Sequence, residues 1–282
     1  MKTIVITGAS SGIGSALAVL WAQRGCRVVL IARREDRLNT LATTVELAGG
    51  SPRVLVADLT HESECLRVVE ELADETVDVL INNAGRGNYA SIEDTSTDSW
   101  RQMFALNVDA PFFLTRGLLG GMKQRDLGHI VNVSSVAGRQ GFPFNAAYVA
   151  AKHAVVGLTA ALRAELVDSN VHATVVCPAG VSTEWADATE GGSIGALYSA
   201  AIPRSRTLAR EQGLSLAPLF HMMPAEEVAA IILRTVDAGR SNDIFTHDGT
   251  EAHAVQSVTD RIGLEDAHRA LWLAMKETYG TV

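Results

Sequence analysis

Basic side chains are in the minority, and lysine is scarce. Lysine and arginine together number 24 against 32 aspartates and glutamates, a formal net charge of -8, and the only lysines are Lys2, Lys123, Lys152 and Lys276. A surface of that sign attracts neither nucleic acid nor an anionic membrane, so the expected partner is a small molecule. Cysteine is nearly absent. Cys26, Cys65 and Cys177 are odd in number, scattered and without metal-ligand spacing. That excludes a disulfide framework and suits reduced core thiols in the cytoplasm. The eight histidines form no HExxH or comparable pair, so no metal is expected. No uninterrupted apolar stretch reaches membrane-spanning length, and no basic-then-apolar leader precedes the first strand-like segment. No membrane partner is expected, and the expected location is cytoplasmic. Asn132-Val133-Ser134 matches a glycosylation acceptor, but its place in a buried strand-like run argues against modification.

What is present is an ordinary globular composition, 47% hydrophobic and 20% charged, enough for residues 1–282 to bury one large core as a single domain. Short β-branched runs recur at Thr3 to Thr7, Arg27 to Ala32, Arg53 to Ala57, Val77 to Ile81, His129 to Val133 and Ala173 to Cys177. Their near-continuous hydrophobicity predicts parallel strands covered on both faces. Helical spacing lies between them, at Ile13 to Gln23, Asp36 to Leu47, Glu62 to Asp74, Trp100 to Met122 and Ala147 to Val167. Alternation of this kind predicts an α/β fold with a doubly wound parallel sheet, and ligands at the carboxyl ends of the strands. After Thr183 the rhythm breaks for about forty residues, and a long irregular insertion is usually functional. It resumes with a helix after Pro224 and a last strand near Asp243 to Thr246, and the 249–282 extension reads as further helix. Leu271, Trp272 and Met275 there are expected to pack on the domain or on another subunit.

The first strand opens into Thr7-Gly8-Ala9-Ser10-Ser11-Gly12-Ile13-Gly14, and a helix follows. Glycines let the backbone turn tightly and approach a ligand, and the helix N-terminus offers unpaired amides to a pyrophosphate. Gly8, Ser10, Ser11, Gly12, Ile13 and Gly14 are therefore candidate dinucleotide-binding residues. After the second strand, where an acidic residue would bond the ribose hydroxyls of NAD, the sequence reads Ala32-Arg33-Arg34. A guanidinium there can pair with a 2′-phosphate in bidentate fashion, so the cofactor expected is NADP(H), with Arg33 as main contact and Arg34 beside it. Asp58-Leu59 after the third strand and Asn82-Asn83-Ala84-Gly85 after the fourth fall on the same sheet edge.

Tyr148 is the one tyrosine of four with a lysine four positions on, Lys152, and Ser135 lies thirteen residues before it. One helical turn brings phenol and ammonium to one face. A phenol has a pKa of about 10, and a fixed neighbouring cation stabilises the phenolate. Ser134 adjoins Ser135, and opposite faces of the strand let only one reach a pocket; the spacing to Tyr148 favours Ser135. His153 has a different azimuth and reads as packed or solvated.

With TGASSGIG at 7–14, NNAG at 82–85, Asn107, Ser135, Tyr148-x-x-x-Lys152 and Pro178 to Thr183 in order, the chain resembles the short-chain dehydrogenase/reductase (SDR) family, of NADP-preferring type. The resemblance covers residues 1–183 well and the remainder loosely. It implies a Rossmann-type sheet, Asp58 near the adenine ring, and Asn83 and Gly85, with Ala84 between them, near the adenosine. It also implies that Pro178, Val181 and Thr183 hold the nicotinamide end. Catalytic roles would fall to Asn107, Ser135, Tyr148 and Lys152: Tyr148 the acid and base, Ser135 the carbonyl's hydrogen-bond partner, Lys152 lowering the phenol's pKa and binding the ribose, and Asn107 anchoring a water. Ala179 departs from the glycine usual after the proline. The implied reaction interconverts a ketone or aldehyde and an alcohol by hydride transfer. A redox-neutral isomerase or dehydratase of the same fold, and a non-enzymatic NADP-binding sensor, are the alternatives. The 184–223 insertion, with Phe142 and Phe144, is expected to set substrate choice, and relatives pair the Trp100 to Met122 and Ala147 to Val167 helices, so a homodimer or homotetramer is expected.

Overall fold

The computed structural model describes residues 1–186 and 189–281. Six strands with almost no exposed side chain, β1 (Thr3–Thr7), β2 (Arg27–Ala32), β3 (Ser51–Val56), β4 (Val77–Asn82), β5 (Gly128–Val133) and β6 (Val171–Cys177), fall where the β-branched runs lie. With β9 (Asp243–Phe245) they form a seven-stranded parallel sheet of order β3-β2-β1-β4-β5-β6-β9. This is a Rossmann-type, doubly wound sheet. Strands are added outward in one direction from β1 to β3 and in the other from β4 onward, so the cleft outside the carboxyl ends of β1 and β4 is the place for a ligand.

Side-chain alternation divides the core into two layers. Ile4, Ile6, Val28 and Leu30 face α1 (Gly12–Ala22), α2 (Glu35–Leu47) and α8 (Ala225–Asp237). Val5, Val29, Ile31 and Leu80 face α3 (Glu62–Glu71), α5 (Ala110–Arg125) and the end of α6 (Ala146–Glu165). Asn132 is fully covered on β5, its carboxamide accepting from Asn82 at 2.8 Å and donating to Thr159 at 2.9 Å. A glycan has no access to it.

Two expectations are corrected. The Trp100 to Met122 segment is not one regular helix. It is α4 (Thr97–Phe104), a π-helical turn over Ala105–Asp109, and then α5, which has Pro111 in its first turn. Proline has no N–H for the ladder, and the wider turn turns Asn107 inward. The segment after Thr183 is not irregular for forty residues either: beyond the two-residue β7 (Val181–Ser182) it contains the 19-residue α7 (Ile194–Gln212), before β8 (Met223–Pro224) resumes the chain's rhythm. Pro203 interrupts the pattern inside this helix. Its buried residues Ile194, Leu197, Ala201 and Leu208 fall at helical spacing and form one stripe, which meets a partner late in the chain.

That partner is the tail. After α9 (Thr250–Thr259), α10 (Arg261–Thr278) lays Leu271, Ala274 and Met275 on α7, and Trp272 packs at the edge, so the tail packs on its own chain. Arg204 pairs with Glu277 across this contact, while Arg206 and Arg210 are exposed. Among the described residues no helix is long and apolar enough to cross a membrane. Leu197 is fully buried in the α7–α10 contact, and Leu197→Ala is expected to lower stability by about 2–4 kcal/mol. Urea unfolding followed by circular dichroism checks this.

Candidate active site

The turn after β1 is built on left-handed backbone at Gly8 (φ 65°) and Gly12 (φ 55°), which only glycine adopts without strain. It also interlocks with the Asn82–Gly85 run. The Thr7 hydroxyl accepts the N–H groups of Asn83 and Ala84, each at 2.9 Å, and the Asn83 carboxamide donates to the Thr7 carbonyl at 3.0 Å. A β-carbon at Gly8 would sit 2.8 Å from Ala84 Cα, and one at Gly14 only 2.4 Å from the Gly8 carbonyl. Ile13 packs into the core while Ser10 and Ser11 stay half-exposed over the helix N-terminus. Thr183 closes the far side, its methyl 3.0 Å from where a Gly12 β-carbon would be. The result is a cleft of about 360 Å³ whose lining includes Ser10, Ser11, Gly12, Ser182 and Thr183, at the N-terminus of α1.

Across the β4 end, Gly85, Asn107 and Lys152 converge. A β-carbon at Gly85 would lie 2.7 Å from Asn107 Oδ1 and 3.2 Å from Lys152 Nζ. Asn107 donates through Nδ2 to the Arg86 carbonyl at 3.1 Å and the Met103 carbonyl at 3.0 Å. Among the described residues its Oδ1 is buried with no hydrogen-bond partner. An orphaned acceptor beside a buried ammonium is the mark of a site built for a further polar group, water or ligand. Lys152 donates to the Val133 carbonyl at 2.9 Å and lies 5.5 Å from the centre of the Tyr148 ring.

Ser135 is the serine whose hydroxyl influences the Tyr148 phenol, and it donates to the Pro178 carbonyl at 3.4 Å. Ser134 is turned away, its hydroxyl donating to the Lys152 carbonyl at 2.9 Å. Ser135 Oγ also accepts from the Ala137 amide at 3.1 Å. Burial pushes the Tyr148 phenol up to about 12, against the opposing pull of the Ser135 hydrogen bond. Burial likewise pushes the Lys152 ammonium down to about 8. In the protein alone, desolvation is the largest influence on both groups. His153 is exposed and bonded to the Val149 carbonyl, outside the site.

Beyond the carboxyl ends of β2 and β3, Arg33 reaches toward Asp58 at 3.7 Å. Burial works against the Asp58 charge, but the Thr60 hydroxyl and amide, with Arg33, hold its carboxyl below the usual range. Leu59 is buried in the lower layer, so only its backbone faces the cleft. Arg34 lies closer to the glycine turn than Arg33, donating to Ser10 Oγ at 2.9 Å and Ser11 Oγ at 2.8 Å.

At the other end, the Pro178 carbonyl accepts from the Val136 amide at 2.9 Å, and Val181 pairs with Met223 in the short β7–β8 ladder. His247, almost fully buried just after β9, clamps this loop. Its Nδ1 accepts from the Ala179 amide at 3.3 Å, which leaves Nε2–H to donate to the Gly180 carbonyl at 2.9 Å. Ala179 is thus accommodated by a histidine 68 residues downstream, and nothing local in the sequence announces it. Asn88, which nothing local in the sequence announces either, accepts the Tyr148 amide at 3.3 Å, and Trp185 of the 184–223 insertion places its ring 5.0 Å from that of Tyr148. Phe142 joins this apolar group, whereas Phe144 turns away in left-handed backbone (φ 59°) to stack on Tyr279 at 4.1 Å. Only the tail's position decides that difference.

The family model for short chain dehydrogenases matches residues 2–192. The chain is 38% identical over 185 residues to a 3beta-hydroxysteroid dehydrogenase of Mediterraneibacter gnavus, covering 64% of this chain and 67% of that one. It is 38% identical over 188 residues to a D-beta-hydroxybutyrate dehydrogenase of Rhizobium meliloti, covering 64% and 72% respectively. Among solved structures, a short-chain dehydrogenase from Sphingobium yanoikuyae in complex with NADPH superimposes with a TM-score of 0.77 at 27% identity, over 94% of this chain and 95% of that one. With its glycine turn, sheet order and sequence all matching, the chain belongs to the short-chain dehydrogenase family of oxidoreductases.

Proposed function

We propose that the protein is an NADP(H)-dependent oxidoreductase that interconverts a ketone or aldehyde and the corresponding alcohol, with Tyr148 as general acid and base. The observation that carries this reading is the convergence of Ser135, Tyr148 and Lys152 with the unpartnered Asn107 oxygen beside Gly85. A binding module needs the glycine turn and nothing more; a proton-transfer group is needed only if a bond is made or broken. The two dehydrogenases above are both named for oxidation at a hydroxyl-bearing carbon, which favours the redox reading over a redox-neutral one.

The cofactor would be held by the Gly8 to Gly14 turn at its pyrophosphate, by Arg33 and Arg34 at a 2′-phosphate, and by Asp58, Asn83 and Gly85 along the adenosine. The NADPH in the Sphingobium neighbour supports that choice. Bound there, the nicotinamide supplies hydride chemistry. Ser135 holds the substrate oxygen in line, and Tyr148 delivers the proton to it in reduction or removes it in oxidation. Lys152 offers a donor to the ribose and a positive charge to the phenolate. With a pKa near 12 in the protein alone, Tyr148 is a reluctant acid, and a further cation placed beside it on cofactor binding brings it toward the working range. Asn107 holds a water against Lys152 through its free oxygen. Residues 184–223 shape the substrate end, where Trp185 and Phe142 favour an apolar substituent on the carbonyl.

The same reading takes the chain as a homodimer or homotetramer, pairing through α4, α5 and α6; Trp100 and Phe112, each 42% exposed, support it. The buried, unbridged thiols of Cys26, Cys65 and Cys177 support a reducing, cytoplasmic setting.

Tyr148→Phe is expected to lower kcat with ketone panels by about 10²–10⁴-fold while leaving the Kd for NADPH within about threefold. Near-normal turnover in a folded variant refutes the assignment. Lys152 supplies a second check, in the ligand-free protein. Burial lowers its pKa from 10.5 to about 8, so the unfolded chain binds more protons between those values and stability must rise with pH across that window. Relative to Lys152→Met, the wild type should therefore gain in unfolding free energy from pH 8 to pH 10. Light scattering at micromolar concentration should give the mass of a dimer or tetramer; a monomer overturns the assembly.

A further inference from the structure

The arginines that face the cofactor's phosphate end already hold an anion from their own chain. Glu184 places one carboxylate oxygen 2.6 Å from Arg37 Nη1 and 3.4 Å from Arg34 Nη1. The hydrogen bond from Arg37 holds this carboxyl below the usual range, so it carries full charge at neutral pH. Arg34 is independently positioned by the hydroxyls of Ser10 and Ser11 on the glycine turn. Its fork therefore stays at the mouth of the cleft whether or not Glu184 is there. Glu184 and Arg37 both line that cleft, with Ser10, Ser11, Gly12 and Thr183.

The next residue reports on the other half of the site. Trp185 shares a single 3-10 turn (Glu184–Ala186) with Glu184. Its ring packs on Gly87, where an added β-carbon would come within 2.8 Å of it, and against Tyr148, which is only 7% exposed. Glu184 and Trp185 are consecutive residues of one short turn, so a shift of its backbone moves both side chains. A phosphate monoester carries about two charges at neutral pH and three oxygens for guanidinium forks, so it displaces a single carboxylate from such a pair.

We infer that Glu184 is an affinity-determining residue that competes with the cofactor's 2′-phosphate for Arg34 and Arg37, and that its release draws Trp185 off Tyr148. The 2′-phosphate then does two things: it adds affinity, and it uncovers the phenol to substrate. A cofactor without that phosphate leaves the Glu184 contact in place and Tyr148 covered. The inference rests on the NADP(H) reading above.

Two fragments lacking the nicotinamide test it without any turnover: 2′,5′-ADP, which carries the 2′-phosphate, and 5′-AMP, which does not. Calorimetry on the full chain gives affinities for wild type and Glu184→Gln. The difference in emission between wild type and Trp185→Phe isolates the one indole. Glu184 is exposed, so its variant is expected to fold. Losing two surface ion pairs to the competitor corresponds to about three- to tenfold tighter binding of 2′,5′-ADP by Glu184→Gln, with 5′-AMP unchanged. Trp185 emission should respond to 2′,5′-ADP and not to 5′-AMP in the wild type. Equal 2′,5′-ADP affinity in both proteins, equal tightening for both fragments, or a Trp185 signal blind to 2′,5′-ADP overturns the inference. If 2′,5′-ADP binds neither protein, the NADP(H) reading itself fails and this inference with it.

Discussion

The architecture of the site depends on one small interlock, the hydroxyl of Thr7 taking the amides of Asn83 and Ala84 while Asn83 returns a hydrogen bond to the Thr7 carbonyl. It joins the end of β1 to the end of β4 where the strand order reverses. The glycine turn is thereby pressed onto the Asn83-Ala84 backbone, too close for any side chain at Gly8. Gly85 is carried the other way, against Asn107 and Lys152. The glycine turn and the Asn107 and Lys152 cluster, far apart in sequence, are thus held to one frame. Loss of that frame would misplace both ends of a dinucleotide at once.

Within the frame, burial governs the chemistry. Tyr148 and Lys152 sit where water is excluded, and desolvation pushes each toward its neutral form. Ser135 and the Val133 carbonyl offer partial compensation through single hydrogen bonds. The protein alone therefore holds its acid and its cation in a poised but unfavourable state, and charge arriving with a ligand changes the balance. The unpartnered oxygen of Asn107 belongs to the same picture. A polar atom left unsatisfied in a core costs about 1–3 kcal/mol, and such costs cluster where a site is completed by something else. The π-helical turn that presents Asn107 is another departure from regular structure at the same place.

Beyond the sheet, the second half of the chain contributes by packing. α7 and α10 bury each other's apolar faces, and the tail thereby draws Phe144 onto Tyr279, leaving Phe142 and Trp185 beside Tyr148. His247 pins the backbone after β6 from the far end of the sheet. The turn at Glu184 and Trp185 then spans both ends of the cleft, touching arginines on one side and the phenol on the other.

The sequence by itself determined what is repetitive or local. The strands of the sheet are legible because parallel strands buried on both faces must be continuously apolar. The glycine turn is legible because positive φ demands glycine, and Tyr148 with Lys152 because one helical turn sets their distance. Strand alternation let only one of Ser134 and Ser135 face a pocket, and the spacing to Tyr148 favoured Ser135. Tertiary structure decided what depends on distant partners. The apolar positions of α7 make sense only against α10, and the break at Asn107 needs the surrounding helices. The side chains that meet at Tyr148, Asn88, Phe142 and Trp185, lie on separate segments. The acidity of Tyr148 was decided there too, because desolvation is a property of the surrounding atoms and not of the spacing between two residues.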